Sequence, residues 1–126
     1  MSENKMSERR LAELKKKNLN RADLTRQNLV GANLVRANLR GANLRGANLS
    51  GANLSDANLS GANLSDAKLS DANLSHAQLD GADFTKAETK GTDFSNTDLS
   101  IVRNLTMSQI RAARVNETTR FPRRLK

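Results

Sequence analysis

The 126-residue sequence contains no cysteine, tryptophan or tyrosine, and it has only one proline, one histidine and three phenylalanines. The lack of cysteine excludes disulfides, thiol nucleophiles and thiolate metal sites, and it is typical of a reducing compartment. The shortage of aromatic residues excludes a core built on large rings. No segment resembles a secretory signal or reaches the roughly 18 apolar residues of a membrane span. We therefore expect one small cytoplasmic domain.

A five-residue repeat, best read as Ala-Asn-Leu-Ser-Gly, fills most of the chain. Alanine stands two positions before the repeated apolar residue from Ala32 to Ala87, and Asn or Asp usually lies between them. Thr89 is the only non-apolar residue in the apolar column. We predict that this column forms the core, as ladders built from Leu19, Leu24, Leu29, Leu34, Leu39, Leu44, Leu49, Leu54, Leu59, Leu64, Leu69, Leu74, Leu79, Phe84, Phe94 and Leu99.

The period of five excludes an α-helix. It matches neither the helical period of 3.6 nor the alternation of a strand, and Asn, Asp, Ser and Gly favour turns over helices. A short fixed period predicts a solenoid, in which each unit buries its apolar face by stacking on its neighbours. The chain must then turn once in every unit, so that Leu and Ala stay on the axis.

Tandem copies of A-(N/D)-L-x-x over residues 17–100 resemble the pentapeptide-repeat family, in a bacterial form of cyanobacterial type. The resemblance implies an all-β solenoid, specifically a right-handed quadrilateral β-helix with four units in each coil. The repeat is then long enough for about four coils. We expect short α-helical caps at both ends, because a solenoid must cover its open sheet edges.

Residues 1–16 are predicted to form an N-terminal tail and a capping helix. The residues from Ser7 to Lys17 are strong helix formers, and Leu11 and Leu14 lie on one helical face. Residues 12–16 are also in phase with the repeat, so a degenerate first unit is the alternative.

Residues 101–126 are predicted to form a C-terminal capping helix and a basic tail. The register slips after Leu99, because the next apolar residue is Leu105 instead of residue 104. Thr106 and Gln109 then form a capping-box pattern, which predicts a short helix that continues towards Val115.

The last regular coil departs from the repeat. Phe84 and Phe94 replace leucine, Thr89 interrupts its ladder, and Thr92 and Thr97 replace alanine. We expect these changes to widen the coil where it meets the cap, in preference to forming a ligand pocket.

The repeated polar residues have structural explanations. Asn and Asp bond their own backbone at turns, and the repeated glycines occupy a corner that requires positive φ or a small residue. No phosphate-binding glycine pattern occurs, and His76 has no cysteine, second histidine or close carboxylate pair to act with. We therefore predict no catalytic residue, no metal site and no cofactor.

The charge is distributed unevenly along the chain. The net charge of +8 divides into +6 for residues 1–40, −4 for residues 41–100 and +6 for residues 101–126. A twenty-residue phase brings Arg21 close to Arg40 at one edge and Arg26 close to Arg45 at another. The candidate partner-binding surface therefore consists of Arg21, Arg26, Arg36, Arg40 and Arg45.

These observations predict a non-catalytic scaffold that presents rigid β-helix faces to an unidentified protein partner. Nucleic-acid binding through the basic ends is the first alternative, although no aromatic side chain stands in the outward positions of the repeat for base stacking. DNA-gyrase modulation by DNA mimicry, which the family resemblance implies, is the second, although this chain is basic. We expect no membrane and no small-molecule substrate, and the sequence leaves the oligomeric state open.

Overall fold

The computed structural model describes residues 18–123, and the expected N-terminal helix lies outside this range. The chain winds into a solenoid, because the residue before each core position from Asn18 to Asn73 pairs with the residue twenty positions later in a parallel β-bridge. Asn18 pairs with Asn38, and Asn38 pairs with Asn58. Residues 18–97 thus form four coils of twenty residues, and a fifth, irregular coil begins at residue 98.

Each regular coil has four sides, one for each five-residue unit, and we number the sides by their bridged residues. Each side contributes a single bridged residue to its ladder, so the β-structure consists of short parallel contacts stacked along the axis. Face 1 contains Asn18, Asn38, Asn58 and Gln78; face 2 contains Asp23, Asn43, Asn63 and Asp83; face 3 contains Asn28, Asn48, Lys68 and Glu88; and face 4 contains Asn33, Asn53, Asn73 and Asp93.

The corner between two faces is a tight turn with a fixed pattern of hydrogen bonds. In the first unit, the Ala22 amide donates to the Leu19 carbonyl at 3.0 Å, and Arg21 between them has a φ of 60°. Positive φ at the third residue is what a type II turn requires. The Asn18 side chain accepts from the Asn20 amide at 2.9 Å, as the sequence predicts for a turn-forming Asn.

The core consists of the predicted leucine ladders. The side chains from Leu29 to Leu74 in the column are fully buried, and the alanines of each unit lie beside them. Leu54, for example, has no exposed surface and lies twenty residues from Leu34 and from Leu74 in the same ladder. Burial of a leucine contributes about 1.5–3 kcal/mol, so the ladders are the main stabilising interaction of the coils.

Substitution of the corner glycines tests the turn geometry. Gly51 and Gly91 have φ of 67° and 70°, so alanine at either position should lower the free energy of unfolding by about 1 kcal/mol. At Gly51 a Cβ would meet nothing within 4 Å, whereas at Gly91 it would overlap the Asp71 carboxylate. Urea denaturation should therefore show a larger loss for Gly91→Ala than for Gly51→Ala. No loss of stability in either variant would contradict the positive φ of this corner.

The fifth coil contains helix α1, Met107–Ala112. The capping box is confirmed, since Thr106 accepts from the Gln109 amide and Gln109 Oε1 accepts from the Thr106 amide. Arg103, before the helix, and Arg114, after it, both bridge to residues of the fourth coil. Helix α1 therefore occupies one side of the fifth coil. Within residues 18–123, no helix has the length and apolar character needed to cross a membrane.

Helix α1 ends earlier than the sequence indicates, at Ala112 instead of near Val115. Ala113 is extended, with φ −93° and ψ 173°, and Arg114 then pairs with Asp93. The bridge requires an extended backbone, so the ladder stops the helix. The helix also shifts the phase, because Arg114 and Arg120 follow their partners by 21 and 22 residues, whereas Arg103 follows Asp83 by 20.

The residues of the fourth coil that depart from the repeat fill the core of this coil and form hydrogen bonds to the adjacent coils. The rings of Phe84 and Phe94 are fully buried and meet edge to face, with centroids 5.8 Å apart. The hydroxyl of Thr92 donates to the Leu69 carbonyl at 2.6 Å, and that of Thr89 donates to the Gln109 carbonyl at 2.8 Å. The buried threonine hydroxyls are thus satisfied by carbonyls of adjacent coils.

Candidate interaction surface

Two corners of the first two coils carry stacked arginines. At the corner between faces 1 and 2, the Arg21 amide donates to the Arg40 carbonyl at 2.8 Å. At the corner between faces 2 and 3, the Arg26 amide donates to the Arg45 carbonyl at 2.9 Å. These four exposed arginines therefore flank face 2, and we call Arg21, Arg26, Arg40 and Arg45 with the face between them the arginine-flanked face.

Glycines determine how two of these side chains lie. A Cβ at Gly41 would come within 3.2 Å of Arg21 Cγ, and a Cβ at Gly46 would come within 3.1 Å of Arg26 Cγ. Both arginine stems thus extend over a glycine of the next coil, in the direction of Arg40 and Arg45. The missing side chain of glycine makes room for this contact.

The fifth predicted residue, Arg36, does not join this group. It lies at the corner between faces 4 and 1, where its amide donates to the Ser55 carbonyl at 3.0 Å. The structure thus brings together four of the five arginines of the predicted surface. Four-sided closure places Arg36 away from face 2, although it is close to the others in sequence.

Few acidic groups offset the charge of the arginine-flanked face. Asp23 lies on face 2, and hydrogen bonds from the hydroxyl and amide of Thr25 hold its pKa below the ordinary value. Arg45 Nε lies 3.8 Å from Asp66 Oδ2, with both side chains exposed, so this ion pair is weak. The face therefore keeps a net positive charge.

A second set of charged residues, which the sequence did not reveal, lies at the C-terminal end of the solenoid, between the fourth and fifth coils and between the fifth coil and the segment after it. Arg103, Arg114 and Arg120 bridge to residues of the coil beneath, which are Asp83, Asp93 and Asp98. Arg103 Nη2 lies 3.3 Å from Asp83 Oδ2, and the charge of Arg120 adds to hydrogen bonds from Ser100 that lower the pKa of Asp98. Two of these pairs are separated by 21 and 22 residues, so a twenty-residue phase does not predict them.

Asp83 is the most strongly bound of these carboxylates. It accepts from the Thr85 hydroxyl at 2.6 Å and from Asn104 Nδ2 at 3.0 Å. Burial raises the pKa of Asp83, but these hydrogen bonds and the charge of Arg103 outweigh burial and lower the pKa to about 2.

Because the pKa of Asp83 is lower in the folded state than in the unfolded state, its carboxylate stabilises the fold above the unfolded value of about 3.9. That stabilisation should be lost as the pH falls from about 5 towards 2. Urea denaturation of Asp83→Asn should show less stability at neutral pH and a weaker pH dependence in this window. Asp80→Asn, which removes an exposed carboxylate of the same coil, is the control for the loss of one negative charge. An unchanged pH dependence in Asp83→Asn would contradict this assignment.

His76 lies at the corner between faces 4 and 1, in a column of polar side chains. Its Nε2 is 3.3 Å from Asn96 Nδ2, and Asn116 Nδ2 donates to Asn96 Oδ1 at 3.2 Å. Thr118 also donates to that oxygen. Among the described residues, no group of His, Cys, Asp and Glu could hold a metal ion.

The coil geometry defines the class of protein, which is a four-sided β-helical solenoid. Its core is filled with stacked leucines, and the charged residues on its exterior vary from unit to unit. The family described as "Pentapeptide repeats (8 copies)" matches residues 18–56, 47–85 and 62–100. The chain belongs to the pentapeptide-repeat family, whose members form right-handed quadrilateral β-helices.

One solved structure agrees with this assignment. A pentapeptide repeat protein from the Arabidopsis thaliana thylakoid lumen is 31% identical, with a TM-score of 0.58 over 80% of this chain and 73% of that chain. A pentapeptide repeat protein from the cyanobacterium Cyanothece 51142 is 29% identical, with a TM-score of 0.45 over 79% of this chain and 63% of that chain.

HetL from Nostoc sp. Strain PCC 7120, a pentapeptide repeat protein involved in heterocyst differentiation regulation, is 30% identical. Its TM-score is 0.42, over 83% of this chain and 62% of that chain. The chain thus spans less than two thirds of the length of the two cyanobacterial proteins. No curated protein sequence matches the chain significantly.

Proposed function

We propose that the protein is a non-catalytic interaction scaffold, which presents the arginine-flanked face to a protein partner. The observation that carries this proposal is the placement of Arg21, Arg26, Arg40 and Arg45 on two corners beside one flat face. The partner surface that fits this arrangement is acidic, because the guanidinium groups of arginine bind carboxylates with directed hydrogen bonds.

The rest of the repeat supports a scaffold, because its side chains are used within the coil. The leucines and alanines are buried in the core, and the Asn and Asp side chains accept hydrogen bonds from the amide two residues later. The residues that differ from unit to unit are the outward ones. A partner that distinguishes this protein from another β-helix must therefore contact those outward side chains.

The short turns also favour a rigid surface. A face that is already ordered loses little conformational entropy when it binds, so a small number of charged contacts can determine which partner is selected. The charge of the first two coils, next to the more acidic third and fourth coils, also orients an acidic partner along the axis.

A charge-reversal experiment tests the proposal. Arg26→Glu with Arg45→Glu should abolish capture of protein partners from a lysate treated with nuclease. Lys86→Glu is the matched control, because Lys86 lies in the corner column of Arg26 and has the same φ within a degree, 58° against 59°. Capture that survives the double reversal, or that is lost equally in the control, would contradict the proposal.

Nucleic-acid binding is a second candidate, because the two arginines of each pair lie one coil apart, about 4.8 Å along the axis, and the two pairs together form a basic strip beside face 2. If this candidate is right, a labelled oligonucleotide should bind the wild type and lose affinity steeply as the salt concentration rises. The double reversal should abolish that binding, while nuclease treatment should remove all captured material. Retention of protein partners after nuclease treatment favours the scaffold.

A further inference from the structure

The C-terminal end of the solenoid has a groove with apolar and basic residues in its lining. It lies between the corner of faces 1 and 2 in the fifth coil and the segment that returns to face 1 after it. We call it the end groove, and it is lined by Ile101, Val102, Arg120, Phe121, Pro122 and Arg123.

Apolar exposure is concentrated at this end. Ile101 is 59% exposed and Phe121 is 41% exposed, and both line the end groove. Of the five large hydrophobic residues that are exposed in residues 18–123, only Val30 lies outside the fifth coil and the segment after it. Phe121 follows Arg120 as Leu99 follows Asp98, so it continues the ladder of face 1 without a further coil above it within the described residues.

The backbone at the same place has an open sheet edge. In a regular coil, the residue before the bridged position accepts from the next coil and the residue after it donates, as Ala22 and Leu24 do with Asn43 at 2.9 and 2.8 Å. The equivalent groups beside Arg120 are the Thr119 carbonyl and the Phe121 amide. Neither has a hydrogen bond within residues 18–123. An extended segment placed on this edge would find one acceptor and one donor in the geometry that the coils use throughout.

The charge at this end identifies the kind of segment that fits. Residues 101–123 contain five arginines and a single acidic residue, Glu117. Arg103 and Arg120 interact with aspartates of the coil beneath, whereas Arg111 and Arg123 make no ion pair within the described part of the chain. A second copy bound end to end would bring two positively charged ends together, which disfavours self-association. Nucleic acid would satisfy the arginines but leave the apolar floor of the groove uncovered.

We propose that the end groove binds an extended protein segment in which acidic and apolar residues alternate, and that the segment adds a parallel strand to the edge at Thr119 and Phe121. Apolar side chains of the segment cover Ile101 and Phe121, and its carboxylates bind Arg123 and Arg120. This is β-strand addition, in which main-chain hydrogen bonds give affinity and alternate side chains give selectivity. The proposal does not depend on binding at the arginine-flanked face.

Fluorescence anisotropy with a labelled peptide in which Glu alternates with Val and Leu tests the proposal on the full chain. Saturable binding to the wild type is expected, and Phe121→Asp and Arg123→Glu should each weaken it about tenfold or more. Ile101→Asp provides a second apolar variant. Ile101 is 59% exposed and Phe121 is 41% exposed, so both variants should fold, and the melting temperature of each distinguishes a loss of stability from a loss of binding.

Matched controls distinguish peptide binding in the end groove from general charge attraction and from binding at the arginine-flanked face. Val30→Asp introduces the same charge at an exposed apolar residue outside the groove, and Arg21→Glu reverses a charge on the arginine-flanked face. Both should bind the peptide as the wild type does. A peptide with Lys in place of Glu should not bind, and N-methylation of the central peptide amides should weaken binding, which a contact made by charge alone would not show.

Three results would overturn the proposal. The first is wild-type affinity in Phe121→Asp, and the second is an equal loss in Arg21→Glu, which would reduce the effect to general charge attraction. The third is a dimer in sedimentation that Phe121→Asp converts to a monomer, because a second copy would then occupy the groove. Since Arg21→Glu affects only the arginine-flanked face, failure of this proposal and failure of the proposed scaffold can be distinguished.

Discussion

Replacement of Leu54 by lysine is expected to unfold the β-helix. Leu54 has no exposed surface, and its ladder continues through Leu34 and Leu74 on either side, so the ammonium group cannot reach water without displacing the coil. The substitution removes about 1.5–3 kcal/mol of apolar burial, and an unpaired buried charge costs several kcal/mol more. This sum is comparable with the whole free energy of unfolding of a small domain, roughly 5–15 kcal/mol.

Circular dichroism and thermal melting measure the effect of Leu54→Lys. Asn53→Lys is the matched control, because it places the same side chain at the adjacent, exposed position. Lys68 occupies the equivalent bridged position on face 3, where it forms a regular ladder contact with Asn48. The control should keep a cooperative transition near that of the wild type, after the loss of one turn hydrogen bond from the Ser55 amide. A wild-type melting curve for Leu54→Lys would show that the ladder does not carry the stability of the coils.

Replacement of Gln109 by leucine is expected to release the fifth coil. The Gln109 side chain accepts from the Thr106 amide at 2.8 Å and donates to the carbonyls of Phe84 and Ala87 at 2.8 and 3.0 Å. Leucine leaves the Thr106 amide and the Ala87 carbonyl without partners and removes half of the capping box, whereas the Phe84 carbonyl keeps its bond from the Ala87 amide. We expect a loss of about 3 kcal/mol, since each unsatisfied buried group costs about 1–3 kcal/mol.

Hydrogen exchange locates the effect of Gln109→Leu. The amides of the fifth coil should exchange faster, while those of the first two coils, which Gln109 does not contact, should keep their protection. Gln109→Glu separates the two roles of the side chain, because it keeps the acceptor for Thr106 but loses the donor for Phe84 and Ala87. Gln78→Leu, at an exposed bridged position, is the control. Uniform acceleration across all coils would contradict a local role for Gln109.

The regular coils were predictable because their information is local and repeated. Each Asn or Asp closes its own turn, each third turn residue has positive φ, and each leucine stacks on an identical residue twenty positions away. The same phase predicted that Arg21 meets Arg40 and that Arg26 meets Arg45, and the hydrogen bonds between their backbones confirm both pairs. An isolated arginine such as Arg36 can be assigned to a corner only once the coil is known to have four sides.

The end of the chain was less predictable, because the number of residues that helix α1 uses is set by its neighbours. The capping box fixes where the helix begins, but the bridge between Arg114 and Asp93 determines where it stops. Gln109 was predicted as a capping residue, whereas its two bonds to the fourth coil depend on the docked position of the helix. The position of the open edge beside Phe121 depends in turn on the spacing of 22 residues between Asp98 and Arg120, which lie on either side of helix α1.

The sequence by itself determined the solenoid, its leucine core and its turns, since a five-residue period lets every unit specify its own turn. The two arginine pairs followed from the four units per coil that the family resemblance implies. Only the tertiary structure decided the phase of the chain after helix α1, the pairing of Arg114 and Arg120 with Asp93 and Asp98, and the groove at Ile101 and Phe121. The physical reason is that these contacts join segments whose spacing is no longer a multiple of the repeat. They form where packing of helix α1 on the fourth coil brings the chain back into the ladder.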